Sequence, residues 1–132
     1  MSPIQNIYYA LGEVIYAISK ANGTSQKKEK LKNILVEEFN KQLLDFDPSA
    51  IIFHILAKES MEATTAFNWA IKEIKLNSHY VSEKMKKQFI HILQRVSQEF
   101  PPVTTKEQLL IDSFISEIKI IKGDSVFTKE FS

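Results

Sequence analysis

The apolar stretch at residues 7–23 restricts the possible folds more than any other part of the chain. At about 100° per residue, its apolar side chains fall on nearly every side of a predicted helix. They are Ile7, Tyr9, Ala10, Leu11, Val14, Ile15, Tyr16, Ala17, Ile18 and Ala21. A surface helix keeps one polar side, so this helix is expected to be enclosed by others. Gly12 costs roughly 1 kcal/mol relative to alanine at mid-helix, which indicates a close neighbour there.

Start and stop signals divide the remaining sequence into five more predicted helices. Asn22-Gly23 suits a left-handed cap, after which a helix from about Gln26 to Leu44 forms an antiparallel hairpin with the first. Asp47 as N-cap and Pro48 start a third helix that is again apolar on all sides, which predicts a second interior helix. The other three start after Ser60, after Ser82 and at a capping box of Thr104 and Glu107. The predicted inward residues of the second helix are Leu31, Ile34, Leu35, Phe39 and Leu43.

No segment alternates in the way that a half-buried strand does, and 3 Gly and 4 Pro with 44% hydrophobic residues disfavour long disorder. The sequence therefore predicts an all-α fold. We expect a compact single-domain bundle of about six helices around a buried first helix, spanning residues 1–123. Residues 124–132 are predicted to form a polar C-terminal tail.

Charge and composition exclude several classes of protein. The chain has no cysteine, a formal net charge of +1, no basic leader and no uninterrupted apolar segment of membrane-spanning length. We therefore expect a cytoplasmic protein without membrane insertion. The lysines of the run at residues 27–32 scatter around their predicted helix, which favours a solvated face over a nucleic-acid interface.

The turn between the first two predicted helices resembles a known family. Lys20, Ala21, Asn22 and Gly23, followed by Glu29, are similar to the turn of the TerB-like tellurite-resistance family and of the related N-terminal domain of the DjlA co-chaperone. The resemblance implies an all-α domain associated with stress responses. In some members of the family, acidic residues bind a divalent metal, which would here involve Glu29 and Asn22. Asn22 replaces the family's Asp and removes one charge from such a site.

Three side chains within the apolar helices are candidates for a central site, namely Glu13, Tyr16 and His54. Glu13 lies between Tyr9 and Tyr16, so it is either satisfied by a tyrosine or by Lys20, or it faces a functional pocket. His54 either meets Glu13 as an acid–base pair, or it bonds a backbone carbonyl or points outward.

A second candidate site is the polar connection after the fourth predicted helix. Asn77, His79 and Tyr80 lie together there, and connections often carry function. Alternatively, Asn77 caps a helix and Tyr80 packs under the turn, which needs no ligand.

The common nucleotide, zinc and acyl-transfer motifs are missing, which disfavours an enzyme. The sequence therefore favours a non-catalytic module that binds a protein partner or a small ligand through the turn at residues 22–29 and the connection at residues 77–80. One alternative is a divalent-metal-binding protein or a metal-dependent or acid–base enzyme around Glu13 and His54. Another is a homodimer formed through the fifth or sixth helix.

Overall fold

Helix α1, Pro3–Asn22, is the centre of the fold in the computed structural model, which describes residues 1–23 and 28–128. Ser2 and Gln5 form a capping box at its start. Every residue from Leu11 to Ser19 is buried, so the prediction of an enclosed first helix is confirmed. The helix ends at Gly23, which has the left-handed φ of 78° that a glycine cap adopts.

The other helices surround α1, which packs most closely on α3 and α4 and also contacts α5 and α6. They are α2 (Lys28–Lys41), α3 (Asp47–Lys58), α4 (Ala63–Leu76), α5 (Glu83–Glu99), α6 (Thr105–Lys119) and the short α7 (Ser125–Thr128). A 3-10 turn at Ser78–Tyr80 joins α4 to α5. Residues 1–23 and 28–128 contain no strand, which confirms the all-α prediction. None of the helices in these ranges is long and apolar enough to cross a bilayer.

Helix α2 packs most closely on α5, so the predicted hairpin of the first two helices is wrong in its packing. Buried Glu38 of α2 pairs with Arg95 of α5 and lies 3.2 Å from His91 Nε2. Arg95 also lies 3.5 Å from Glu37. Hydrogen bonds to Arg95 and Gln42, together with the charge of His91, hold the pKa of Glu38 below its usual range although burial opposes them. This cluster joins α2 to α5.

Two helix ends differ from the sequence prediction because the chain reverses there through a left-handed residue. Leu43, predicted to point inward, has a φ of 57° and is 91% exposed. The next amide, of Leu44, donates to Phe39 O at 2.9 Å. Ser60 has a φ of 52° and ends α3 in the same way, so it does not cap α4, which begins at Ala63.

Helix α3 is a surface helix, so its prediction as a second interior helix is wrong. Its buried residues are Pro48, Ser49, Ile52 and Leu56. By contrast, Ile51 and Ile55 are 57% and 41% exposed. Asp47, predicted as the N-cap, is the first residue of the helix, and the N-cap residue is Phe46. Asp47 N donates to Asp45 Oδ1 at 3.1 Å. Because α1 already occupies the centre, α3 buries only the side that faces it.

The C-terminal segment packs against the connection between α4 and α5. Asp124 N donates to His79 O at 3.0 Å, and the rings of Phe127 and Tyr80 lie 4.9 Å apart. Gly123 allows this contact, since a Cβ there would lie 2.3 Å from Val81 O. Residues 124–128 therefore belong to the packed domain, and the remainder of the predicted tail, residues 129–132, lies outside the described residues.

Candidate functional site

A groove of about 300 Å³ lies where α1, α2 and α3 meet. Helix α1 contributes Gly12 and Ile15 to its lining. The α2 wall consists of Leu31, Lys32 and Leu35, and the α3 side consists of Phe46, Ser49, Ala50, Phe53, His54 and Ala57. The groove is therefore mostly apolar, and its lining comes from three separate segments of the chain.

Gly12 lets α1 and α3 approach closely beside the groove. A Cβ at this position would lie 2.4 Å from Ser49 O and 2.6 Å from Ile52 Cγ2. The Ser49 hydroxyl donates to Tyr8 O, which fixes α3 to α1 in the same region. The prediction that another helix approaches Gly12 is confirmed, and the close neighbour is α3.

Lys32 and His54 are the polar side chains of the groove that remain available for a ligand. Both are exposed, and neither forms a hydrogen bond or ion pair with the residues that the structure describes. Ser49 also lines the groove, but its hydroxyl is already bonded to Tyr8 O. Because no Asp or Glu is among the described residues that line the groove, the fixed charge of this lining is positive.

Glu13 lies on another side of α1, and the predicted Glu13–His54 pair is not formed. Adjacent helix positions point about 100° apart, so Gly12 faces α3 while Glu13 is directed toward Glu73 of α4. Glu13 is only 5% exposed. Burial, and secondly the charge of Glu73, raise the pKa of Glu13 to about 7.

Tyr16 does not satisfy Glu13, because its hydroxyl donates to Met61 O at 2.6 Å. Its ring meets Phe53 edge-on at 5.7 Å, so it supports α3 behind the groove. Lys20 is exposed and forms no hydrogen bond or ion pair with Glu13. Among the described residues, Glu13 therefore has no hydrogen-bond donor, contrary to the expectation that a tyrosine or Lys20 supplies one.

Asn22 joins the end of α1 to the connection between α5 and α6. Its amide nitrogen donates to Phe100 O at 2.9 Å and to Glu107 Oε1 at 2.8 Å. Glu107 is fully buried and completes a capping box with Thr104. Glu29, the other predicted metal ligand, is exposed in the first turn of α2. Asn22 therefore has a structural role through its side-chain nitrogen.

The described ranges contain no group of three His, Cys, Asp or Glu residues placed to hold a metal ion. Asn22 directs its donor nitrogen at the carboxylate of Glu107, whereas a metal would bind its amide oxygen, so the predicted site at Asn22 and Glu29 stays a prediction. A cation site requires oxygen ligands directed at one point.

We expect Asn22→Asp to lower the free energy of unfolding by about 1 to 2 kcal/mol at pH 7. The change replaces a donor to two acceptors with a carboxylate that faces the carboxylate of Glu107. Chemical denaturation measures the loss, with Asn33→Asp at an exposed position of α2 as the control for added charge. Equal stability of the Asn22→Asp variant and the wild type would contradict the assigned hydrogen bonds.

The connection at residues 77–80 has a structural role, which is the predicted alternative in which Asn77 caps a helix and Tyr80 packs under the turn. Asn77 Nδ2 donates to Glu73 O at 2.9 Å and closes the end of α4. The rings of His79 and Tyr80 both pack on Phe127. Because α7 covers this connection, the predicted contact surface at Asn77, His79 and Tyr80 is not open as a whole.

The groove itself was not predicted from the sequence, and of its lining residues only His54 was predicted to belong to a functional site. The available signal was the set of small residues on the apolar helix α3, which are Ser49, Ala50 and Ala57. Small side chains leave room beside a helix, but only the tertiary structure shows which helix lies opposite. In the sequence, Lys32 is one lysine of the run at residues 27–32, for which a solvated face was predicted.

Comparisons with known proteins found no match: no family model, no curated protein and no solved structure is similar to this chain. The class of the molecule is therefore defined by its fold, an all-α bundle with a groove beside its central helix. The TerB-like resemblance stays a prediction that depends on Lys20, Ala21, Asn22, Gly23 and Glu29.

Proposed function

We propose that the protein is a non-catalytic binding module that holds a small ligand, or an apolar side chain of a partner protein, in the groove between α1, α2 and α3. The observation that supports the proposal is the groove itself. Ligand sites are concave, mostly apolar and supplied with a few polar groups, and their volumes begin at about 300 Å³. This groove has such a lining and a volume of about 300 Å³.

The proposed role is non-catalytic because, among the described lining residues, the only hydroxyl nucleophile is Ser49, and its hydroxyl is bonded to Tyr8 O. Among the described residues, the titratable side chains that line the groove are those of Lys32 and His54. Neither is held by a hydrogen bond to another described residue that would orient it for proton transfer. The buried carboxylate of Glu13 does not line the groove. This groove is proposed as the binding surface in preference to the connection at residues 77–80 and to the turn at residues 22–29, of which residues 24–27 lie outside the described residues.

The association with stress responses, and with the TerB-like type of domain, is kept as part of the proposal. Its support is the resemblance at residues 20–23 and Glu29. The groove does not depend on those residues, so the binding proposal is tested separately.

Binding of Nile red, a neutral apolar dye that would insert only part of its ring system into the open groove, tests the proposal through its fluorescence. Ala50 lines the groove, so Ala50→Phe places a ring in the open space and is expected to weaken dye binding at least about tenfold, a difference of about 1.4 kcal/mol. Thr64→Phe, at an exposed position of α4, is the matched control and leaves binding unchanged. Ala57→Leu is a smaller second obstruction. Dye binding that is the same in all four proteins would overturn the proposal.

A further inference from the structure

The charges around the groove indicate the class of ligand. We infer that the groove binds an amphipathic anion, a small molecule with an aliphatic body and one carboxylate, and this inference depends on the proposed function above. The body is held between α2 and α3, and the carboxylate lies at Lys32 and His54. Two independent properties of the lining carry the inference, its apolar area and the sign of its charge.

The apolar part of the described lining consists of aliphatic and aromatic side chains. It offers no buried side-chain group that is free to form a hydrogen bond with a ligand. Leu31 and Leu35 of α2 face the groove together with Ile15 of α1 and Phe53 of α3. The one buried hydroxyl, that of Ser49, is bonded to Tyr8 O. A ligand with polar groups along its length would leave them unsatisfied here, at a cost in affinity. The body of the ligand is therefore a hydrocarbon.

The size of the groove limits the length of that hydrocarbon. A volume of about 300 Å³ equals the liquid volume of roughly ten water molecules. A ligand of about ten non-hydrogen atoms fills a space of this size, which corresponds to a carboxylate with about eight carbons. Octanoate is the probe that matches both the body and the charge.

The polar end of the ligand is anionic because the groove offers hydrogen-bond donors and no acidic group. Lys32 contributes an ammonium group from α2, and His54 contributes an imidazole from α3. Neither is engaged by another described residue. A carboxylate has two acceptor oxygens and can accept from both side chains, whereas a cationic ligand would be repelled by Lys32.

Calorimetric titration of the full chain at pH 7.5 with octanoate and with octanamide tests the inference, since the two ligands have the same shape and differ in charge. We expect octanoate to bind at least about fivefold more tightly. Lys32→Gln removes most of that difference. Lys106→Gln, an exposed position on α6, removes the same charge elsewhere and keeps the difference. Ala50→Phe weakens binding of both ligands.

Each contrary result has a distinct meaning. Equal affinity for octanoate and octanamide, with both blocked by Ala50→Phe, would overturn the anionic ligand while the groove remained a binding site. Binding of Nile red without binding of octanoate would overturn it as well. Octanoate binding that persists in both Lys32→Gln and Ala50→Phe would place the anion site outside the groove and also overturn the inference.

Discussion

Gly12→Ala is expected to lower the free energy of unfolding by about 2 kcal/mol. Overpacking a close contact costs about 3 kcal/mol at the upper end of its usual range, and the better helix propensity of alanine returns about 1 kcal/mol. The added Cβ would lie 2.4 Å from Ser49 O, a backbone atom that moves only if α3 moves. In a domain of this size the loss corresponds to a fall in Tm of roughly 8 °C, which calorimetry measures.

Gly23→Ala is the matched control for this substitution. A Cβ at position 23 has no heavy atom within 4 Å, but its φ of 78° is unfavourable for alanine by about 1 kcal/mol. The two variants therefore separate a steric cost from a conformational one. Because α3 lines the groove, Gly12→Ala also changes Nile red binding, whereas Gly23→Ala does not. A Gly12→Ala variant as stable as the wild type would contradict the close packing of α1 and α3.

Glu13→Gln is expected to stabilise the protein at alkaline pH, by an amount on the order of 2 to 3 kcal/mol. The pKa of Glu13 is about 7 in the folded protein, whereas its ordinary value of 4.5 applies to the unfolded state. The folded state therefore binds more protons than the unfolded state between these two values. The stability of the wild type falls as pH rises from about 4.5 to about 7, and the full penalty is present above pH 7.

Urea denaturation of the wild type and Glu13→Gln at pH 4.5, 7 and 9 measures this dependence. The two proteins are expected to differ little at pH 4.5 and most at pH 9. Glu73→Gln removes the second cause of the shift and therefore reduces the pH dependence by a smaller amount. Glu29→Gln, at an exposed position, controls for net charge. A wild type and Glu13→Gln with parallel stability profiles would show that Glu13 titrates normally.

The parts of the fold that depend on local chemistry were predictable from the sequence. The unbroken apolar surface of residues 7–23 identified α1 as central, and Gly12 identified its close contact. The capping box of Thr104 and Glu107 also formed as predicted. In each of these cases, the deciding residues belong to a single helix and its cap.

The parts that failed depend on which residues meet across the chain. The sequence of α3 is apolar on all sides, yet Ile51 and Ile55 remain exposed because α1 already fills the centre. Asn22 contacts Glu107 and Glu38 contacts Arg95, and both pairs are far apart in sequence. The groove has the same origin, because its lining comes from three helices and no single segment carries its pattern.

The burial of α1 on almost all sides also affects how the chain is made. This helix leaves the ribosome before α3 and α4, its closest partners, which follow over roughly the next fifty residues. At a synthesis rate of about 5 to 20 residues per second, the apolar surface of α1 stays exposed for roughly 3 to 10 s before these helices emerge. During that interval we expect the nascent α1 segment to be a substrate of a chaperone that holds unfolded chains.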